Sequence, residues 1–237
     1  MPSRRVSRPA STGSARSVPA HHEAEPDLHT VVFDLNILLD VADLLGPPFT
    51  WDKFRDAAAR NSQAPVPNRV DSRIDSLRAV ALTTTGQFAG PELLEVWTSD
   101  HIADLLVLKA RQPHDGSTAE TRGLGWSPED AENLLHDFLY DLVYDMTNGG
   151  RIEIVNVDGH PPLDHEDACV FTTALQAADD AAPPSIKYCV TRDRGFRQAT
   201  NLNSNVFVLY PHEFVTLVRR TRGALAAKKM RPPFQQP

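Results

Sequence analysis

The stretch VVFDLN, from Val31 to Asn36, decides the fold. Three apolar residues in a row follow the β-branched Thr30, a pattern that predicts a strand buried on both faces, as in parallel sheets. Asp34 ends this strand, and the apolar residues from Ile37 to Leu45 recur at helical spacing. We therefore expect Asp34 at the carboxyl end of a strand that leads into a helix, where open α/β sheets place functional residues.

Length and composition bound the class of protein. With 237 residues, 41% of them hydrophobic, the chain can build one substantial core, and we expect one domain with tails. No apolar run approaches the about 18 to 20 residues that a membrane-spanning helix needs. The two cysteines, Cys169 and Cys189, lie in apolar segments, which predicts core thiols in a reducing compartment rather than a disulfide framework. The expected location is the cytoplasm.

The net charge of −7 is distributed unevenly along the chain. Residues 1–27 form a basic arm that is poor in large apolar side chains and is expected to be disordered, without the pattern of a secretory signal. Residues 28–220 are the expected domain, and residues 221–237 are a basic tail that contains prolines. An acidic domain with basic ends is typical of a metal-binding centre whose arms contact polyanions, and equally of a solvated surface with flexible tails.

Short apolar strands alternate with helical patterns along the domain. Strands are predicted near 30–33, 93–98, 151–157, 186–191 and 206–210, with helices at 37–45, 51–60, 74–82, 100–111, 128–147 and 165–178 and from 211 onward. This alternation predicts an α/β fold of three layers, α/β/α, in which right-handed crossovers connect a five-stranded parallel sheet.

Four segments together resemble a PIN domain: VVFDLN at 31–36, LDHED at 163–167, CVTRD at 189–193 and VFVLYPHEF at 206–214. The resemblance covers about residues 28 to 220. It implies the strand order 3-2-1-4-5, which places the first and fourth strands side by side at the topological switch point, so that Asp34 and Asp193 would face each other. It also implies a metal-dependent ribonuclease, in a family that includes the VapC-type toxins of toxin–antitoxin pairs.

Carried over residue by residue, the resemblance makes Asp34, Asp167 and Asp193 metal-binding acids, assisted by Asn36 and Thr191. The fourth acid is usually a Glu on the helix after the second strand, where this chain has only two aspartates, at positions 100 and 104. The predicted catalytic set is Asp34, Asn36, Asp104, Asp167, Thr191 and Asp193, and the four aspartates are the predicted metal ligands.

Asp104 is preferred over Asp100 because of its expected surroundings. On a helix that is apolar almost all round, Asp104 lies between Val107 and Leu108, and a buried acid there would need a compensating cation. Asp100 lies in the first turn, where the helix dipole already favours an acid.

Mg²⁺ or Mn²⁺ is the expected cofactor, because hard cations prefer carboxylate oxygens and a bound water of lowered pKa can attack a phosphodiester. Zn²⁺ is disfavoured because no Cys or His cluster is expected beside the acids. RNA, single-stranded or in loops, is the expected substrate, and an antitoxin protein and a second copy of the chain are further candidate partners. No membrane partner is expected.

Simpler interpretations of the same residues stay open. Asp34 and Asp193 can cap the helices that follow them, and Asp164 with Asp167 has capping-box spacing. His165 is interpreted as a surface residue rather than a ligand. Three arginines either line an RNA path beside the acids or belong to a solvated loop; they are Arg192, Arg194 and Arg197.

Two other functions remain as alternatives. One is a catalytically silent PIN-like module that binds RNA or a protein, which is favoured if Asp104 does not join the acids. The other is a phosphatase of the haloacid-dehalogenase type, which needs a second Asp at the position that Asn36 occupies.

Overall fold

The computed structural model describes residues 27–114, 123–153, 163–179, 184–200 and 205–230. Within these ranges the strands are β1 (Leu28–Phe33), β2 (Gln87–Ala89), β3 (Glu92–Ser99), β4 (Arg151–Ile152), β5 (Ile186–Val190) and β6 (Val206–Leu209). The helices are α1 (Leu35–Leu45), α2 (Trp51–Asn61), α3 (Arg73–Thr83), α4 (Asp100–Arg111), α5 (Pro128–Asn133), α6 (His165–Gln176), α7 (Arg194–Thr200) and α8 (Pro211–Met230). A π-helix, Leu134–Met146, continues α5 directly.

β1 lies at the centre of one sheet of order β2-β3-β1-β5-β6, and β4 also pairs with β3. β1 is parallel to β3 and to β5, β5 is parallel to β6, and β2 runs antiparallel to β3. The predicted α/β class is confirmed. The strand count and the strand order differ from the prediction, because the sheet has six strands and one of them is antiparallel.

The additional strand β2 is the first arm of a tight hairpin. Gly90 and Pro91 connect β2 to β3, and Gly90 adopts a positive φ of 60°, which suits a two-residue hairpin turn. A strand of three residues is too short to show the period-two pattern by which strands are recognised in a sequence. β4 is predicted at 151–157, and residues 154–157 of that prediction lie outside the described residues.

Both faces of β1 are covered, as the apolar run predicts. Residues 29–33 are all buried, and alternation along the strand directs Val32 to one face and Phe33 to the other. Phe33 packs edge-on against Phe214 of α8, with ring centroids 6.4 Å apart. α6 contacts β1, β3 and β5. The carboxyl end of β1 is therefore held between helices and neighbouring strands.

α8 continues past residue 220, where the sequence places the start of a basic tail, and ends at Met230. The Arg222 guanidinium donates hydrogen bonds to the carbonyl oxygens of Phe88 at 2.9 Å and Leu82 at 3.0 Å. The helix thereby rests on β2 and α3, and part of the basic C-terminal segment belongs to the fold. None of the helices in the described ranges combines the length and the apolarity that crossing a membrane requires.

Candidate metal centre

Three elements bring an acid to the carboxyl edge of the sheet. Asp34 follows β1, and Asp193 lies shortly after β5. β1 and β5 are parallel neighbours in the sheet, with Phe33 opposite Val190. The Asp34 amide donates to the Val190 carbonyl at 2.9 Å and continues this pairing. Asp167 lies in the first turn of α6, which packs against both strands. Residues far apart in sequence therefore share one edge.

Asp34 is buried, with 6% of its surface exposed, and its carboxylate is held by side chains. Oδ2 accepts hydrogen bonds from Thr191 Oγ1 at 2.5 Å and from Asn36 Nδ2 at 2.5 Å. Although Asp34 occupies the N-cap position of α1, its side chain makes no capping hydrogen bond among the described residues. The side chains of Thr191 and Asn36 orient the Asp34 carboxylate, and the amides of Leu35 and Asn36 at the start of α1 also lower its pKa.

Thr191 is the hydrogen-bonding centre of this arrangement. Its hydroxyl donates to Asp34 and accepts from the Asp193 amide at 2.9 Å and from Asn36 Nδ2 at 3.3 Å, which uses its one proton and both lone pairs. Asn36 Oδ1 accepts from the Arg192 amide at 3.2 Å. Asn36 and Thr191 thus hold the end of β1 against the loop that carries Asp193, as positioning residues.

The acids perturb one another electrostatically. Burial, followed in order by the neighbouring carboxylates of Asp164, Asp34 and Asp193, raises the pKa of Asp167 to about 7. Burial raises the pKa of Asp34 to about 6 against the opposing hydrogen bond from Thr191, and Asp193 adds to the increase. Carboxylates that repel one another in a partly buried site are the arrangement that a divalent cation relieves.

The capping interpretations of two other acids are confirmed. Asp193 Oδ1 accepts from the amides of Gly195 at 2.6 Å and Phe196 at 3.2 Å, so it closes the turn that opens α7. Asp164 Oδ1 caps α6 by accepting from the Asp167 amide at 2.9 Å. The Asp193 bonds use one of its two carboxylate oxygens, and this local role is compatible with metal binding through the other.

Asp104 lies in different surroundings from those expected. It is exposed on α4, and the side chain of Leu108 beside it is 60% exposed, so this face of the helix lies in solvent. The expectation of an acid enclosed by apolar side chains is wrong. Burial lowers the pKa of His101, and the nearby Asp104 carboxylate partly opposes this decrease. Asp100 is committed elsewhere, in an ion pair with Arg151.

An ion pair between the buried Asp40 and the partly exposed Arg192 was not predicted. Asp40 of α1 is 5% exposed, accepts a hydrogen bond from Ser76 Oγ at 2.6 Å, and lies 2.9 Å from Nε of Arg192. Burial raises the pKa of Asp40 to about 6, although Arg192 and Ser76 oppose the increase. A sequence signal existed, because Asp40 interrupts an apolar run one helical turn after Asn36.

Two of the three arginines near the acids are anchored. Arg192 pairs with Asp40 and donates to Ser72 Oγ at 3.2 Å. Arg197 binds both carboxylate oxygens of Glu213, at 2.8 and 2.9 Å, and its guanidinium lies 4.7 Å from the centre of the Tyr210 ring. Their guanidinium groups are therefore held in fixed places beside the loop that carries Asp193.

A cluster of softer ligands joins the helix that carries Asp167, α6, to α4. The ligand atoms of His101, His165 and Cys169 lie within 4.8 Å of one another. The sequence did not predict this cluster, which among the described residues is the group of three ligand atoms already close enough together to hold an ion. His165 is exposed, as expected for a surface residue, but it belongs to this cluster. Helical spacing alone could not indicate it, because His101 comes from a different helix.

Comparison of the chain with protein-family models, with curated proteins and with solved structures finds no match. The fold and the side chains at the carboxyl edge of the sheet are therefore the basis for assigning a function. The candidate ligands at the sheet edge are the carboxylate oxygens of Asp34, Asp167 and Asp193, and hydrogen bonds from Asn36 and Thr191 orient the first of them. Such a set of oxygen ligands suits Mg²⁺ or Mn²⁺.

Proposed function

We propose that the protein is a Mg²⁺- or Mn²⁺-dependent endoribonuclease of the PIN type, with Asp34, Asp167 and Asp193 as its metal ligands. The observation that supports this proposal is the convergence of β1, β5 and α6 on one edge, where Asp34 and Asp193 lie near enough to add to the effects of burial and Asp164 on the pKa of Asp167. Three separate elements deliver these acids to the edge where parallel α/β sheets bind ligands. The turn before α7 accounts for Asp193, but it gives no reason for Asp34 and Asp167 to approach it.

A bound divalent ion would offset this repulsion, polarise the phosphodiester and lower the pKa of the attacking water. The chain's own residues prepare the site for it. Asn36 and Thr191 hold the Asp34 carboxylate at a fixed angle, and the Asp193 turn presents its acid next to Arg192. Arg192, oriented by Asp40, is placed to attract a phosphate group.

RNA in single strands or loops is the proposed substrate. Basic residues on the exposed part of α8 would add sequence-independent attraction to phosphates, which weakens as salt increases. A role as the toxin of a toxin–antitoxin pair, with an antitoxin protein as partner, rests on the resemblance to the PIN family. It is supported if a small antitoxin gene neighbours the gene for this chain.

The exposure of Asp104 favours a second candidate, a catalytically silent module that binds RNA or a protein. With Asp104 on a solvent-facing part of α4, the proposed metal set has three acids rather than four. A three-carboxylate site still presents a hard-cation ligand set, so the enzyme remains the first proposal, and Asp104 takes part only if a water bridges it to the ion.

The decisive experiment measures cleavage of single-stranded and hairpin RNA with Mn²⁺, with Mg²⁺ and with a chelator. We expect cleavage that requires the metal and is lost in Asp34→Asn and Asp193→Asn, whereas Asp52→Asn, on the exposed surface of α2, retains it. RNA binding without cleavage under all conditions would support the silent module. Metal-dependent cleavage that persists in Asp34→Asn would contradict the proposed site.

A further inference from the structure

Two histidines and a cysteine meet where α4 contacts α6. His101 belongs to α4, and His165 and Cys169 lie one turn apart on α6. His165 Nε2 and Cys169 Sγ are 3.9 Å apart, and the His101 and His165 rings meet edge to face with centroids separated by 5.7 Å. All three ligand atoms lie within 4.8 Å of one another.

This cluster lies on the side of α6 that faces away from the acid site. At about 100° per residue, Cys169 is displaced by about 40° from His165 around the helix axis, whereas Asp167 is displaced by about 200°. The one helix therefore presents a carboxylate on one face and imidazole and thiol groups on the other. The two groups of ligands are distinct sites.

One buried nitrogen of the cluster lacks a hydrogen-bond partner among the described residues. This atom is Nε2 of His101. A buried ring nitrogen without a partner is costly, and proteins satisfy such atoms with a water, a side chain or a metal ion. The imidazole of His165, which packs against the His101 ring, and the thiol of Cys169 are ligands that a metal ion at this position could recruit.

We propose that His101, His165 and Cys169 bind a transition metal ion of the Zn²⁺ type, in a site that clamps α4 to α6. Imidazole nitrogen and thiolate sulfur select Zn²⁺ over Mg²⁺ and Mn²⁺, the ions suited to the acid site. The Cys169 thiol releases its proton to solvent when the sulfur coordinates the ion. The fourth ligand is a water, because within the described residues the group of ligand atoms that lie this close together contains only these three side chains.

The geometry requires only small side-chain movements. Zn–N bonds of about 2.0 to 2.1 Å and Zn–S bonds of about 2.3 Å place tetrahedral ligand atoms about 3.3 to 3.6 Å apart. The 3.9 Å between His165 and Cys169 is close to this spacing, and no pair exceeds 4.8 Å within the cluster. His165 is exposed while Cys169 is buried, so an ion would enter from the His165 side.

Titration of the full chain with Co²⁺, followed by competition with Zn²⁺, tests the proposal. A Co²⁺ ion bound to a thiolate gives a sulfur-to-metal charge-transfer absorption that carboxylate sites do not produce. We expect this band in the wild type, loss of it in Cys169→Ala, and displacement of Co²⁺ by Zn²⁺. Cys189→Ala is the matched control, because it removes the other buried thiol and should retain the band.

The histidines provide independent variants. His165→Gln alters an exposed side chain, and we expect it and His101→Gln to weaken Zn²⁺ binding by about tenfold or more, whereas His136→Gln on the exposed face of the π-helix leaves it unchanged. Zn²⁺ should also raise the melting temperature of the wild type more than that of His165→Gln. Absence of the band in the wild type, or its persistence in Cys169→Ala, overturns the proposal. Asp34→Asn should retain the band, which separates this site from the acid site.

Discussion

At the scale of single residues, the buried charge of Asp34 lowers the stability of the metal-free protein, and the same charge is what the proposed metal ion would bind. Asp34 is enclosed, hydrogen-bonded by Thr191 and Asn36, and surrounded by like charge. Ionising this carboxylate destabilises the metal-free fold, because the charge loses its hydration and meets the field of Asp193. The same ionised group is the one that a cation binds.

We therefore expect Asp34→Asn to stabilise the metal-free protein at neutral pH. The amide oxygen of Asn can still accept from Thr191 and Asn36, while the buried charge disappears. The free energy of unfolding should increase by about 1 to 3 kcal/mol, measured by urea denaturation with a chelator present. Mn²⁺ should stabilise the wild type and leave the variant unchanged. A variant less stable than the wild type at neutral pH would contradict the proposed repulsion.

The pH dependence of this gain has a definite sign. Burial raises the pKa of Asp34 from 3.8 to about 6, so the folded protein binds this proton more tightly than the unfolded chain does. The contribution of Asp34 to stability is complete below pH 3.8 and is lost as the pH rises through about 6. The advantage of Asp34→Asn should thus be small at about pH 4 and reach its full size by about pH 7. Burial also lowers the pKa of His29 to about 4, but this affects both proteins equally and cancels in the difference.

A second residue-scale prediction concerns the ion pair of Arg192 with Asp40. Arg192→Gln removes the stronger of the two cations that act on the buried Asp40 carboxylate, which should lower the free energy of unfolding at pH 7 by about 1 to 3 kcal/mol. Because removal of Arg192 raises the pKa of Asp40 further, the loss should shrink as the pH falls and disappear below about 6, where Asp40 is protonated in both proteins.

Urea denaturation at two pH values measures this effect. Arg194→Gln, at the exposed neighbouring position, is the control and should change stability little. Adding Asp40→Asn to Arg192→Gln should restore most of the loss, because no unpaired charge remains buried. An equal loss at both pH values, or no recovery in the double variant, would mean that the ion pair does not determine the stability of this region.

At the scale of elements, the segment that follows the π-helix lies directly against the backbone of β3. Thr147 Oγ1 accepts a hydrogen bond from the Val96 amide at 2.9 Å. Val96 lies in the part of β3 between the residues that pair with β2 and those that pair with β4. Gly149 then passes so close to β3 that a Cβ atom on it would lie 1.9 Å from the Val96 carbonyl oxygen. Only glycine fits between this loop and the strand.

Gly149→Ala should therefore destabilise the fold by more than about 2 kcal/mol, because the Val96 backbone cannot move without disrupting the sheet. Gly223→Ala in α8 is the matched control, since in the described part of the chain a Cβ there meets no atom within 4 Å. It should stabilise the protein by up to about 1 kcal/mol through helix propensity. Thermal unfolding of both variants decides the matter, and a harmless Gly149→Ala would disprove the close approach.

At the scale of the whole molecule, the two ends of the chain differ. Arg222 binds the backbone of α3 and β2, and a Cβ on Gly90 of the hairpin would lie 3.3 Å from the Leu225 side chain. The end of α8 thus supports the edge of the sheet. Residues 1–26, which lie outside the described residues, have a composition with little apolar surface to bury.

Truncation after Arg220 should consequently lower the melting temperature by several degrees, because it removes the Arg222 hydrogen bonds and the Leu225 contact. Deletion of residues 1–26 is the comparison, and it should leave the melting temperature nearly unchanged. The deletion spares Asp27, whose carbonyl accepts from the Leu93 amide at 3.0 Å. If the truncated protein has the same melting temperature as the full chain, the part of α8 after residue 220 does not contribute to stability.

The local segments of the fold were predictable because their signals are local. The apolar run before Asp34, the serine that caps α4 and the Ser-Pro that opens α5 determine where elements begin, and the structure follows them within a few residues. Two elements were missed for lack of such a signal. β2 has three residues, and α7 begins within a polar segment with few apolar residues.

By itself the sequence determined that acids end β1 and β5 and begin α6, since apolar periodicity and capping depend on residues a few positions apart. The tertiary structure alone decided which side chains meet. It turned Asp104 toward solvent, buried Asp40 against Arg192, and brought His101 to His165 and Cys169. The physical reason is that these contacts depend on how helices rotate and pack against the sheet, and that geometry arises from the packing of the whole core rather than from any single segment.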